Sequence, residues 1–559
     1  MQDSIITQAG VSYVKSEYEA MGEDVDAIQM HYIKISGVKM LGMALITMLC
    51  AICVVFLSSR VAAALGHDLR NAVYNKVISF SSREYHKFST ASLITRCTND
   101  IQQVQQVMAM LFRIVLYAPI LGIGGVLKVL HTDASMTWIL GIAVAAILIL
   151  VAVLFGVSMP KFKKLQDLID RLNLVSREIL TGIPVIRAFS REKHEEERFE
   201  EANLRLTKTN LFVNRTMTFM MPLMMLIMNG TSVLIIYTGA HSIDAGNMQV
   251  GDMMAFIQYA MQIIMSFLMI TMMSIMLPRA GVAANRILEV LDTPLSIEDP
   301  KNCVKPEEKE KGTVVFDRVS FAYPGAEEEV LSDITFEARK GETVAFIGST
   351  GSGKSTLVNL IPRFFDVTKG SVRVDGVDIR QMKLGDLRER IGYVPQKGVL
   401  FSGTIDSNLR YGREHATREE LEKAAAIAQA TEFIEQKEEG MESPIAQGGS
   451  NVSGGQKQRL SIARAIAKQP EIYIFDDSFS ALDFKTDAAL RKALKEETEE
   501  ATTLIVAQRI STILHADRIL VLDEGKVVGM GTHKELLQSC EVYQQIARSQ
   551  LSQEELDYE

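Results

Sequence analysis

The chain has 559 residues, of which 47% are hydrophobic and 23% are charged, and its formal net charge is −9. This length exceeds what one compact core supports, so at least two domains are expected. The acidic balance argues against a nucleic-acid-binding protein. Five scattered cysteines argue against a disulfide framework.

Five apolar segments in the first half are long enough to cross a bilayer, for which a helix needs about 20 residues. They lie at residues 37–58, 107–130, 136–159, 216–240 and 253–278. The last three contain no Asp, Glu, Lys or Arg. We therefore predict a transmembrane domain at 37–285, in the cell (plasma or inner) membrane.

Basic residues outside these spans predict the orientation. Residues 60–106 contain six Lys and Arg residues and 160–215 contain twelve, whereas the two short intervening loops contain none. Because cytoplasmic loops hold the excess of basic residues, both basic segments and everything after residue 279 are predicted to lie inside the cell. The N-terminal segment 1–36 is then extracytoplasmic.

Both basic segments keep the apolar spacing of helices, so the spanning helices are expected to continue into the cytoplasm. Each segment is predicted to break near its middle, at EYHKFSTAS (84–92) and at LTGIPVIRAF (180–189). The breaks are either plain loop tips or short helices that dock on a cytoplasmic domain. The second interpretation is favoured, because the chain after residue 312 has the composition of a soluble domain.

A phosphate-binding loop follows a predicted linker at 286–312, which contains the charged run KPEEKEKG. The letters TVAFI, GSTGSGKST and LVNLIPRFF have the order strand, glycine-rich loop, helix, and they match the G-x-x-x-x-G-K-S pattern. The predicted phosphate-binding residues are Gly348, Ser349, Thr350, Gly351, Ser352, Gly353, Lys354, Ser355 and Thr356. Ser355 is also predicted to bind Mg²⁺, together with Asp476 at the end of a second buried strand.

Five motifs then occur in a characteristic order: GSTGSGKST, YVPQ, VSGGQKQ, IYIFDD and SALD. With the preceding helices, nearly the whole chain resembles a half-transporter of the ABC exporter class. The resemblance implies an α-helical transmembrane domain with long cytoplasmic helix extensions, followed by an α/β P-loop ATPase domain of ABC type at 313–559. It also implies ATP and Mg²⁺ as cofactors, and it identifies the two predicted breaks as coupling helices.

The resemblance assigns further roles to single residues. Tyr323 would stack on adenine, and Gln396 would contact magnesium and sense the membrane domain. Such ATPases clamp two nucleotides between two facing domains, with Asp483 at the seam. The residues that would hold the ATP of the other subunit are Ser453, Gly454, Gly455 and Gln456.

The chain departs from active members of this class at two chemically important positions. Asp477 stands where they carry glutamate, and its carboxylate is shorter by about 1.5 Å. A misplacement of about 1 Å at reacting atoms can cost about 100-fold in rate. Gln508 stands where they carry histidine, and an amide cannot become a cation. Asp477, Gln508 and Gln396 are thus the candidate catalytic residues of a weakened site, and Gln447 replaces a further glutamate.

Weakened chemistry beside an intact VSGGQ motif predicts a heterodimer. The partner would be a second, non-identical ABC half-transporter that carries the glutamate and the histidine, as in asymmetric bacterial multidrug exporters. Two alternatives stay open: a homodimeric exporter of a lipid or peptide, and a nucleotide-gated channel or regulatory subunit. The class usually has six spans in each half, so the first helix is expected to be missing from this sequence.

Methionines are concentrated in the last two predicted spans. They are Met217, Met220, Met221, Met224, Met225 and Met228 in one, and Met261, Met265, Met269, Met272, Met273 and Met276 in the next. Flexible, polarizable side chains suit a cavity that binds many amphipathic compounds, although the simpler interpretation, lipid-facing packing, is favoured. Membrane lipid and a small amphipathic substrate are the expected partners besides the second subunit.

Overall fold

The structure is a computed structural model that describes residues 2–132, 136–245, 248–306 and 311–551. It divides into two compact units. The first comprises Met1–Lys76 and Thr90–Asp292, and the second comprises Val77–Ser89 and Thr293–Glu559. The short segment Val77–Ser89 is therefore part of the second unit, although in sequence it lies between membrane helices.

Apolar helices dominate the first half of the chain. They are α1, Gln2–Ala20; α2, Val25–Ile78; α3, Ser82–Lys87; α4, Thr90–Thr95; α5, Ile101–Met110; α6, Tyr117–Thr132; α7, Thr137–Ala188; α8, Glu192–Thr218; α9, Met220–Asp244; and α10, Val250–Leu291. Two π-helical turns, Arg96–Asp100 and Leu111–Val115, join α4 to α5 and interrupt the helix between α5 and α6.

Five helical stretches in the described residues are long and apolar enough to cross a membrane. They are Val25–Ile78, Thr90–Leu130, Thr137–Lys161, Glu192–Asp244 and Val250–Leu291. The five predicted spans lie within them, except that the third begins one residue earlier, at Met136. The helices are longer than the spans because polar flanking residues keep the helical conformation. In the N-terminal segment, for example, α1 and the first residues of α2 are helices that the apolar pattern did not predict.

The two predicted breaks have different outcomes. The first is confirmed, because α2 ends at Ile78 and the separate short helix α3 precedes α4. The second lies at the very end of its predicted segment: α7 continues through Pro184 to Ala188, Phe189 is its C-cap, and Ser190 has φ 52°. A proline removes one helical hydrogen bond, and the packing of α7 along α8 outweighs that loss.

Ion pairs hold the cytoplasmic end of α10 to the neighbouring helix of the first unit. Arg96 lies 2.8 Å from Glu289, and Arg286 lies 3.3 Å from the buried Asp100. Elsewhere in this unit Met224 and Met273 are buried, whereas Met225 is exposed, so the methionines do not all face one side. Trp138, the one tryptophan of the sequence, is 50% exposed at the start of α7.

The second unit contains the strands of the fold. They are β1, Val314–Phe321; β2, Leu331–Ala338; β3, Thr343–Gly348; β4, Lys369–Val374; β5, Val377–Asp378; β6, Ile391–Val394; β7, Gly403–Thr404; β8, Pro444–Ile445; β9, Ile472–Asp476; β10, Thr502–Val506; β11, Arg518–Asp523; and β12, Lys526–Gly531. Its further helices are α11, Lys354–Leu360; α12, Leu384–Glu389; α13, Ile405–Arg410; α14, Arg418–Ile427; α15, Thr431–Glu435; α16, Gly454–Lys468; α17, Phe484–Glu497; α18, His533–Ser539; and α19, Glu541–Gln550.

The sheet order explains where a site can form. Six strands have the order β12-β11-β3-β10-β9-β6, and β11, β3, β10, β9 and β6 are parallel to one another. Their apolar side chains are buried, as expected for a parallel sheet covered on both faces. Because β3 and β9 both flank β10, the loop after β3 and the residues that end β9 reach the same edge of the sheet. A second sheet, β2-β1-β4-β5, lies beside this core.

Candidate nucleotide site

The phosphate loop connects β3 to α11 and has the backbone that its glycines predict. Gly351 and Gly353 have φ of 86° and 94°, in the left-handed region that favours glycine. The ammonium group of Lys354 donates to the carbonyls of Gly348 (2.9 Å) and Ser349 (2.7 Å). Burial lowers the pKa of Lys354, and the nearby carboxylates of Asp477 and Asp476 oppose that shift. The loop therefore holds one cation at its centre, as a polyphosphate requires.

A hydroxyl and a carboxylate meet beside this loop. Ser355 Oγ donates to Asp476 Oδ1 over 2.7 Å, and Asp476 is 4% exposed. Burial raises the pKa of Asp476, and the adjacent Asp477 acts in the same direction. Hard oxygen donors of this kind suit Mg²⁺, which keeps phosphate oxygens and waters among its ligands. In the described part of the chain no group of three or more His, Cys, Asp or Glu residues could hold a metal ion without such help.

The three candidate catalytic residues meet at one atom. Asp477 Oδ2 accepts a hydrogen bond from Gln396 Nε2 at 3.1 Å and another from Gln508 Nε2 at 2.7 Å. Gln396 lies in the loop after β6 and Gln508 in the loop after β10. Asp477 itself is 6% exposed, and burial raises its pKa. Two loops are thus tied to a single carboxylate oxygen.

Tyr323, the residue predicted to stack on adenine, lies beside the phosphate loop. Its hydroxyl is 2.9 Å from the hydroxyl of Thr356, the third residue of α11. Its ring meets the edge of Phe365 with ring centres 5.3 Å apart. One part of the aromatic ring stays exposed, so a planar base has a surface on which to stack.

The VSGGQ motif forms the capped start of α16. Ser453 caps α16: its hydroxyl accepts from the backbone N–H of Gln456, and its own N–H donates to Gln456 Oε1 over 3.0 Å. Among the described residues, no hydrogen bond joins Ser453, Gly454, Gly455 or Gln456 to residues 348–356. Asp483 caps α17 by accepting from the N–H of Thr486. The two predicted ATP-binding surfaces are therefore not joined by a hydrogen bond within the described part of one chain.

Two glutamines of the site were missed at the sequence level. Gln458, 2% exposed, donates to the carbonyl of Pro395 (3.1 Å) and accepts from the N–H of Gly398 (3.0 Å), so it fixes both sides of Gln396. Helical spacing could have revealed it, since it shares the buried face of α16 with other residues. Gln550 donates to the carbonyl of Gln508 over 2.8 Å, a contact that no local pattern signals.

Helices able to cross a membrane, followed by a phosphate loop on a parallel sheet, define a multi-pass membrane protein with a cytoplasmic ATPase domain. Comparison with known proteins gives the family. Residues 4–267 match the family described as the ABC transporter transmembrane region, and residues 331–480 match the family described as ABC transporter.

Relatives match over most of the chain. An ABC transporter ATP-binding protein of Mycobacterium tuberculosis is 44% identical over 517 residues, which cover 92% of this chain and 88% of the relative. The ATP-dependent lipid A-core flippase of Pseudomonas fluorescens is 36% identical over 496 residues, which cover 86% of this chain and 79% of the flippase.

A solved structure has the same fold. The structure of a bacterial Atm1-family ABC exporter with ATP bound superposes with a TM-score of 0.78, at 24% identity, over 98% of this chain and 97% of that one. The chain therefore belongs to the ABC transporter family and has the fold of an exporter half-transporter. It is an ATP-hydrolysing transporter, and the predicted fold class is confirmed.

Proposed function

We propose that this chain is one subunit of a heterodimeric exporter of amphipathic compounds. It binds ATP durably at its own site, hydrolyses it slowly there, and completes the active site of an unlike partner with its VSGGQ motif. In this proposal residues 313–559 form the nucleotide-binding domain. The observation that carries the proposal is the pair of amide donors on Asp477 Oδ2.

The roles of the binding residues follow from their positions. The backbone N–H groups of Gly348–Gly353 and the Lys354 ammonium would hold the phosphates of ATP, and Tyr323 would stack on adenine. Ser355 and Asp476 would hold Mg²⁺ together with Gln396. When bound, the ion neutralises phosphate charge. None of these groups is altered, so tight nucleotide binding is expected.

The hydrolytic step is weakened by the geometry around Asp477. A general base needs a free lone pair directed at the attacking water. Asp477 is short, and one of its oxygens already accepts from Gln396 and Gln508. The amide of Gln508 can donate a hydrogen bond to a phosphate but cannot carry a positive charge toward it. Nucleotide binding is therefore retained while water activation is weakened.

The hydrogen bonds of Ser453 and Gln456 support a dimer, because they lie within α16 and none in the described chain joins the motif to the phosphate loop. An intact helix start capped by Ser453 provides N–H groups suited to a phosphate of another subunit's nucleotide. If the chain's own site is slow, that other site must supply turnover. The partner is expected to carry glutamate and histidine at the positions of Asp477 and Gln508.

A second candidate function is a homodimeric exporter of a lipid. It is favoured by the 36% identity with the lipid A-core flippase of Pseudomonas fluorescens. Exposed apolar side chains along the membrane helices, including Met225, would suit either kind of substrate.

Nucleotide trapping tests the proposal. Purified full-length chain in lipid nanodiscs is incubated with Mg²⁺ and α-labelled ATP, and the nucleotide that it retains is identified. We expect retained ATP and little vanadate-trapped ADP, with trapping appearing when a half-transporter bearing the glutamate and histidine is added. Lys354→Ala is the control that retains neither nucleotide. Brisk turnover and vanadate trapping by the chain alone would overturn the heterodimer and favour the homodimeric exporter.

A further inference from the structure

A cavity in the ATPase unit is lined by none of the residues assigned above to nucleotide binding. It has a volume of about 380 Å³ and lies between α17, the sheet strands β9 and β10, and the segment after Gln508. Sites for small molecules in proteins have volumes of about 300–1,000 Å³. The cavity is therefore large enough for a small organic compound.

The rim of this cavity is basic. Arg491, Lys492, Lys495 and His515 all line it, and none of the described residues that line it carries a carboxylate. Arg491 already pairs with Asp487 at 3.1 Å, but within the described chain neither Lys492 nor Lys495 has an ion-pair partner. On a chain with a net charge of −9, this local excess of cations is complementary to an anion.

The lining of the cavity also contains apolar side chains and threonines, of which Thr503 has an unsatisfied hydroxyl. Phe475 and Phe479 lie against each other with ring centres 5.3 Å apart and form part of the lining. Thr503 is 4% exposed, and no described residue forms a hydrogen bond with its hydroxyl. A buried hydroxyl without a partner costs free energy, and a ligand with a polar atom at its apolar end would remove that cost.

We propose that this cavity binds a small organic acid, with its carboxylate at Lys492 and Lys495, its apolar or aromatic body against Phe475 and Phe479, and a polar atom at Thr503. The cavity is also connected by a hydrogen bond to the segment that carries Gln508. Arg491 lines the cavity and donates to the carbonyl of Ser511, three residues after Gln508. An occupant thus contacts the helix that Asp483 caps and a residue tied to the segment that carries Gln508.

The test uses phloretic acid, an arylalkyl carboxylate with a terminal phenol, and isothermal titration calorimetry on full-length chain in nanodiscs. Empty nanodiscs provide the baseline. Hydrocinnamic acid, which lacks the phenol, and hydrocinnamyl alcohol, which lacks the charge, are the comparison ligands. We expect saturable binding of phloretic acid, weaker binding of hydrocinnamic acid and the weakest binding of the alcohol.

Two kinds of variant test the charged end and the hydroxyl end of the site independently. Lys492→Glu with Lys495→Glu should weaken binding of phloretic acid by about tenfold or more, since charge-assisted hydrogen bonds are lost. Thr503→Val should remove the advantage of phloretic over hydrocinnamic acid. Lys526→Glu with Lys534→Glu has the same charge change at exposed positions outside the cavity and should leave binding unaltered. Absence of saturable binding to the unaltered chain, or equal binding by both charge variants, would refute the site.

Discussion

At the scale of single residues, the environment of Asp477 leads to a direct test. Replacing Asp477 with Glu and Gln508 with His should raise steady-state ATP hydrolysis of the purified chain by about 100-fold, because the carboxylate regains its reach and the switch position regains an imidazole. Phosphate release from protein in nanodiscs is the measurement. Each single replacement should give a smaller increase.

The matched control for that experiment is Asp477→Asn with Gln508→His, which keeps the size of the first side chain but removes its charge. It should stay as slow as the unaltered chain. If the Glu and His pair gives no increase over this control, the slow hydrolysis does not originate at these two positions.

A buried carboxyl away from the nucleotide site predicts a dependence on pH. Asp375 accepts from the N–H of Gly312 and lies 3.1 Å from Arg390, which also pairs with Glu471. Burial raises the pKa of Asp375 from 3.8 to about 6. The folded state therefore holds a proton that the unfolded chain releases in this window, and the free energy of unfolding falls as pH rises through it.

Hydrogen exchange of β4, corrected for intrinsic rates, measures this effect at both ends of the window. The unaltered chain should lose protection as pH rises. Asp375→Asn keeps an acceptor for Gly312 but has no proton to release, so its protection should change less. Identical pH dependence in the two proteins would contradict the assignment to Asp375.

How far the site could be predicted from sequence varied with the kind of contact. Gly351, Lys354 and Ser355 follow one another closely, and their spacing alone dictates a phosphate loop. The meeting of Asp477 with Gln396 and Gln508 required the strand order, because three separate loops contribute to it. The contact of Gln550 with the carbonyl of Gln508 depends on how α19 folds back, which no nearby residue encodes.

At the scale of elements, the short helix α3 depends on one buried carboxylate. Glu84 accepts from the N–H of Ser81 at 2.8 Å and from the N–H of Ser296 at 3.1 Å, and it is 5% exposed. Glu84→Ala leaves both donors without partners, at about 1–3 kcal/mol each. We expect hydrogen exchange at 81–89 to rise by about tenfold or more.

Arg83→Ala is the control on the same helix, because Arg83 is exposed and its side chain makes neither of these bonds. Its exchange should stay near that of the unaltered chain. Equal loss of protection in both variants would show that Glu84 has no special role in holding α3.

Helix ends were the least predictable feature at this scale. The capping box of Ser81 and Glu84 marks the start of α3 in the sequence itself. The predicted break at 180–189 contains Pro184, yet packing along α8 carries α7 to Ala188, near the end of that segment. Local sequence signals determine where a helix ends only if tertiary packing does not favour its continuation.

At the scale of the whole molecule, the distribution of basic residues predicts which loops face outward. With the other native cysteines replaced by alanine, Cys303 should react with an impermeant maleimide only after cells are permeabilised. A cysteine introduced by Ala245→Cys, in the loop at 241–252, should react in intact cells. The reverse pattern would invert the orientation.

Fold class and span positions were predictable at this scale because apolar runs of sufficient length have few alternatives in a membrane. The assignment of Val77–Ser89 to the second unit was not predictable, because it depends on contacts between segments distant in sequence, such as Glu84 with Ser296.

The position of Trp138 has a practical consequence. The sequence has a single tryptophan. Selectively excited tryptophan fluorescence of the unlabelled protein therefore originates from Trp138, which is half exposed at the beginning of α7. A shift of the emission wavelength on adding nucleotide would thus report a change in polarity around Trp138 alone. Intrinsic fluorescence can therefore be measured on this transporter without attaching a dye.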